Sequence, residues 1–148
     1  MQIRKKDYNP EKHKRQLAIF VRQPYADDLA RGWKSIEIED VATDYRGDVL
    51  LCSARKYEYP NMPAGCTIAL LELYDCKQVL ELTEEEWKQT HIQVDKRILL
   101  KEGYAWMFRN PRRVVEMPVL PNRKPVQYIY HDDNNFIIEY PKYIIYDI

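Results

Sequence analysis

What this sequence lacks narrows its function before any motif is found. No run of apolar residues approaches the roughly eighteen that a membrane-crossing helix needs, so no membrane span is expected. The opening stretch, MQIRKKDYNPEKHKRQ, has no apolar core of the kind a secretory signal carries, and it points to an intracellular protein. Cysteine is scarce: Cys52, Cys66 and Cys76 form an odd set with no CxxC spacing, each inside an apolar, strand-like run. Such cysteines suggest reduced, buried thiols and a cytoplasmic location. His13, His91 and His131 are scattered, so metal-ligand spacing is missing, and neither metal nor cofactor is expected. Net charge is also missing, which argues against a general polyanion binder. Internal repeats, low-complexity segments and interdomain linkers are absent as well.

What is present describes a soluble globular domain. Hydrophobic residues make up 45% and charged residues 31% of 148 positions, enough chain for one domain with a real core. The charge is unevenly spread. Residues 1–22 carry seven Lys/Arg against Asp7 and Glu11, and residues 109–124 carry five against Glu116. Residues 72–86 carry six acids against Lys77. A neutral protein with two basic segments can still present a basic face, although a solvated mixed surface explains the same counts. Residues 1–16 are expected to be a basic N-terminal arm, and residues 17–148 a single domain.

The patterning predicts many short strands and few helices. LAIFVR (17–22) is an apolar run of strand length. Pro24 opens a short helix, PYADDLAR, with Asp27 and Asp28 in its first turn and Gly32 as its stop. From Ser35 the chain alternates, which predicts a strand with Ile36 and Ile38 facing a core and Glu37 and Glu39 facing away. YRGD (45–48) reads as a turn, VLLCSAR (49–55) as a strand, residues 57–64 as a loop, and CTIALLELYD (66–75) as a central strand. Thr83 and Glu86 form a capping box for a short helix. YAWMF (104–108) and VVEMPVL (114–120) read as two strands about a turn RNPR, the latter at an edge because of Pro118. The tail, VQYIY then HDDNN then FIIEY and YIIYD, reads as a hairpin extension. Together these predict a β-rich α+β fold, with two or three short helices, closing as a barrel or half-barrel.

Four pieces of the sequence stand in a specific order: LAIFVRQPYADDLARGWKSIEIED, YRGDVLLCSARK, AGCTIALLELYD and YAWMFRNPRRVVEMPV. In that order they closely resemble the ASCH family of PUA-like domains, over roughly residues 17–120. Gly32, Lys34 and Glu37 match the family's GxKxxE, and Gln23, Pro24 and Tyr25 match RQPW with tyrosine for tryptophan. Tyr45, Arg46 and Gly47 match its YRG turn. Ser53 and Ala54 match the small residues of its third strand. Tyr104, Trp106, Asn110, Pro111 and Arg112 match its YAWxLxNPR segment. Where the family has an arginine after GxKxxE this chain has Glu39, a reversal of charge, and Cys52 stands where many members have histidine. Residues 121–148 lie beyond the resemblance.

The resemblance implies a PUA-like barrel whose cleft binds RNA or a nucleotide-like ligand, with Lys34 and Glu37 lining it. Lys34 can pair with a phosphate or a base carbonyl, and Tyr25 and Trp33 can stack on a base, Trp33 being the better placed. Gln23 can read a base edge, since its amide both donates and accepts. Gly32 shapes the turn, Arg46, Arg109 and Arg112 can flank the cleft, and Ser53 can offer a hydroxyl at its floor. Trp106 is a third candidate for stacking, although it reads more simply as a core residue. A surface Lys–Glu pair with no chemical role would explain positions 34 and 37 equally simply. One branch of the family hydrolyses the amide of N4-acetylcytidine, so an amidohydrolase with Lys34 and Glu37 as catalytic groups is the alternative. A third possibility is a protein-interaction domain that uses the tyrosine-rich tail, Tyr128, Tyr130, Tyr140, Tyr143 and Tyr146.

Overall fold

Apolar residues on both sides of the central strands dictate a sheet that is buried on both faces. The structure, a computed structural model, describes residues 2–54, 59–119 and 124–132. In β2 (His13–Val21), Leu17, Ile19 and Val21 enter one core, while Ala18 enters another. The run in β4 (Gly47–Ser53) divides the same way, with Val49 and Leu51 on the first side and Leu50 and Cys52 on the second. Between these strands the chain makes α1 (Tyr25–Arg31) and β3 (Ile36–Glu39), and this crossover lets β2 and β4 pair in parallel. Ala26 and Leu29 of α1 are buried in the first core.

The remaining strands are β5 (Thr67–Gln78), β6 (Tyr104–Arg113), β7 (Val126–Asp132) and the short β1 (Gln2–Ile3). Among the described residues they form one seven-stranded sheet, curled as a half-barrel, in the order β1-β7-β2-β4-β5-β6-β3. The α-helices of the described residues are α1 and α2 (Glu84–Lys88), and 3-10 turns stand at Lys5–Asp7 and Val79–Glu81. The capping box of α2 forms as its sequence dictates, with Thr83 Oγ1 accepting from Glu86 N and Glu86 Oε1 accepting from Thr83 N. A third core, around Ile36, Val79, Leu82, Trp87 and Met107, ties α2 to β3 and β6.

Several expectations change. RNPR is no turn: β6 runs unbroken from Tyr104 to Arg113, with Asn110 absorbing the irregularity at φ +53°. Residues 114–119 form no extended strand, and Pro118 makes an isolated bridge with Cys66. Within residues 1–16, β1 pairs with β7, and β2 begins at His13. Glu39 does not face away from the core; it is 5% exposed. Cys52 and Cys66 are buried and Cys76 is half-buried, all three as free thiols. Burial pushes the Cys52 thiol well above its usual range and the Cys66 thiol upward too, which keeps both unreactive. The predicted second half of the C-terminal hairpin lies outside the described residues.

Candidate functional site

Gly32 sets the geometry of the site. It ends α1 in the left-handed region at φ +80°, a conformation that favours glycine. The Trp33 and Lys34 amides both donate to Asp28 O, at 3.0 and 3.2 Å, and wrap the chain back over the helix end. This reversal sends Trp33 outward, 63% exposed, and turns Lys34 inward, 4% exposed. Lys34 is therefore a buried side chain. Its Nζ donates to Ile36 O and Thr90 O, both at 2.6 Å, and pairs with Glu37 Oε1 at 3.0 Å. An ammonium has three N–H donors, so these partners use all of them.

Beside this hub lies a cavity of about 510 Å³. Lys34, Glu37, Tyr25, Thr90, Gln93 and Lys96 line it, together with the apolar Ile38, Ile92, Val94 and Leu100. Tyr25 is 41% exposed, and its ring centre lies 5.8 Å from the Lys34 ammonium. Gln93 and Lys96 are exposed at the rim. The loop that carries them is fastened to α1 by His91, whose Nδ1 lies 3.0 Å from Asp28 Oδ2 and whose Nε2 lies 2.8 Å from Trp33 O. His91 takes φ +60°, uncommon for a non-glycine residue, at the point where the loop turns. Thr90 is buried, and its hydroxyl donates to Trp87 O at 2.7 Å and accepts from Ile92 N at 3.1 Å.

Two residues along β3 from Glu37, on the same side of the strand, lies Glu39. Its carboxyl has no hydrogen bond or ion pair among the described residues. Burial pushes its pKa up to about 8, with the Glu37 and Asp40 carboxylates raising it further and Lys34 opposing them.

The other predicted site residues are dispersed. The Gln23 amide is spent inside the fold, with Nε2 donating to Pro63 O at 3.0 Å and Oε1 accepting from Asp27 N at 2.9 Å. Ser53 is fully buried and interacts with Cys66, not with an open floor. Arg46 bonds the Thr43 and Tyr45 carbonyls and reaches Asp75 at 3.8 Å. Arg109 pairs with Glu72 at 2.9 Å and Arg112 with Asp48; neither they nor Arg46 line the cavity. Trp33 does not line it either; its ring sits under the Arg31 guanidinium at 5.0 Å. Trp106 is a core residue, as expected, and its Nε1 donates to Val41 O at 2.9 Å. Sequence reasoning missed Thr90, Gln93, Lys96 and the burial of Glu39. A signal existed only for Glu39, whose charge departs from the family pattern.

The curled, strand-rich half-barrel with few helices fits a PUA-like fold. The ASCH domain family model matches residues 19–122, well over half of the chain, and the chain belongs to that family. Crystal structures of the ASCH protein from Zymomonas mobilis share the fold. One matches with a TM-score of 0.57 at 11% identity, covering 76% of this chain and 86% of that one. A serine-to-alanine mutant of the same bacterial protein matches with a TM-score of 0.58 at 13% identity, covering 79% and 87%. Among curated proteins, none matches this chain.

Proposed function

We propose that this protein is an ASCH-type module that binds RNA, or a nucleotide-like ligand, in the cavity beside Lys34 and Glu37. The observation that carries this reading is the mix of groups around one cavity: an exposed ring at Tyr25, a carboxylate at Glu37 and an exposed cation at Lys96. A nucleotide needs those three things, a surface to stack on, a polar edge to pair with and a charge for its phosphate. Lys34 serves as the hub that fixes Glu37 and the Thr90 loop. Direct titration with short single-stranded RNA and with mononucleotides tests the proposal. Tyr25→Ala should weaken binding by about 1–3 kcal/mol, the usual worth of one base stacked on an aromatic ring. Lys96→Ala should lower the salt dependence. Absence of binding by RNA and by every mononucleotide would remove the reading.

The hydrolytic alternative has less support. A lysine acting as base or nucleophile needs a lone pair, and the Lys34 nitrogen here serves three acceptors as an ammonium. Incubation with N4-acetylcytidine separates the two readings: release of cytidine that disappears in Glu37→Gln and Lys34→Ala would favour the enzyme. The interaction-domain alternative rests on a tail of which Tyr128 and Tyr130 alone are described, and both belong to β7, paired with β2.

A further inference from the structure

Resting on the nucleotide reading of this cavity, we propose that it selects guanine, with the Glu37 carboxylate accepting the adjacent N1–H and N2–H of a base laid against Tyr25. Selectivity follows from the hydrogen-bonding capacity the fold leaves over. Lys34 has no donor to spare, so at this end of the cavity it offers nothing to a base carbonyl or a phosphate. Glu37 is different. One of its oxygens takes the Lys34 ammonium, and the other has no partner among the described residues, while the side chain remains 21% exposed. A carboxylate held against an ammonium only accepts hydrogen bonds, and it accepts two at once when two donors lie side by side.

Of the four common bases, guanine alone presents two adjacent N–H groups on its pairing edge. Adenine and cytosine set a ring-nitrogen lone pair beside their amino group, and uracil flanks its single N–H with two carbonyls. Each would bring a lone pair against a Glu37 oxygen, a repulsive contact that guanine avoids. The exposed Lys96 ammonium at the rim is then the group left for the phosphate.

The test is a set of titrations of the whole protein with GMP, IMP, AMP, CMP and UMP, which share their ribose phosphate. GMP should bind at least about tenfold tighter than AMP, CMP and UMP, with IMP, which lacks the N2 amino group, in between. Glu37→Gln keeps an acceptor for Lys34 but replaces one oxygen with a donor amide, and it should bring GMP down to the level of AMP. The comparison of GMP with IMP on the unaltered protein needs no variant, so a folding defect in Glu37→Gln cannot shield the proposal. Equal affinities for all five nucleotides, each weakened by Tyr25→Ala, would overturn the guanine choice and leave the nucleotide cavity standing. No binding of any nucleotide or RNA would overturn both.

Discussion

The two ends of the sheet handle positive charge in opposite ways. At the β3 end a single lysine is buried, with every donor engaged by two carbonyls and a carboxylate. At the β1 end seven cations between Arg4 and Arg22 are all exposed, and none forms an ion pair with another described residue. There the contacts are soft: Arg15 lies 4.2 Å over the Tyr128 ring, and Tyr8 packs on Tyr130 at 4.6 Å. The late basic stretch resembles neither end, because Arg109, Arg112 and Arg113 each pair with a carboxylate, Glu72, Asp48 and Asp27, the last shared with Arg31. The lesson is that cation counts along a chain say little about a binding site. What matters is how many donors remain after the fold has taken its share.

Four changes break or sharpen that contrast. Lys34→Met should be the most damaging, at about 3 kcal/mol of unfolding free energy, since it strands two carbonyls and leaves Glu37 facing Glu39. Chemical denaturation measures it, and a loss below about 1 kcal/mol would demote Lys34 from hub to bystander.

Glu39→Gln comes second, and its effect depends on pH. With a folded pKa of about 8 against an ordinary 4.5, Glu39 keeps in the folded protein a proton that the unfolded chain releases. Stability from this group is full below pH 4.5 and falls as pH rises toward 8, by at most about 1.4 kcal/mol per unit. The glutamine variant should gain up to about 4 kcal/mol at pH 8 and almost nothing at pH 4.5, as read from melts across that range. A parallel fall in both proteins would mean that Glu39 ionises normally.

Third, Lys5→Ala, Lys12→Ala and Lys14→Ala together should leave the melting temperature nearly unchanged. They should reduce the slope of log affinity for RNA against log salt by up to about one per lysine. An unchanged slope would mark these cations as solvated surface. The smallest effect is expected from Trp33→Ala, within about 0.5 kcal/mol in stability, with nucleotide affinity unaltered because the ring stands off the cavity.

Much of the fold was legible because it follows local rules. The apolar run of β2, the acids and glycine that bracket α1, and the Thr83–Glu86 box are all short-range signals. The Lys34–Glu37 pair was legible too, three residues apart on the strand's approach. Features set by distant contacts were not. Arg112 meets Asp48 and Arg113 meets Asp27 across 64 and 86 positions, so the sequence shows cations where the structure shows ion-paired groups. The 90–96 loop reaches the cavity because His91 bonds Asp28, 63 positions away, and no periodicity encodes that. Glu39 defied the alternation rule: its strand is flanked by β6 and by Gly103, packed so closely that a Cβ added there would lie 3.4 Å from Glu39 O. The joining of YAWMF to RNPRR in one strand depended on Asn110 tolerating a positive φ, a property the residue permits without announcing.

The position of β3 at the rim of the sheet gives Lys34 a second importance. A border strand exposes amides and carbonyls that can recruit a strand from another molecule and seed aggregation. At Ile36 this invitation is withdrawn: its amide donates to Gln89 O at 3.2 Å and its carbonyl is held by the Lys34 ammonium at 2.6 Å. The same side chain that braces the cavity thus bars intermolecular β-pairing, so mutants that lose it are expected to be sticky as well as unstable.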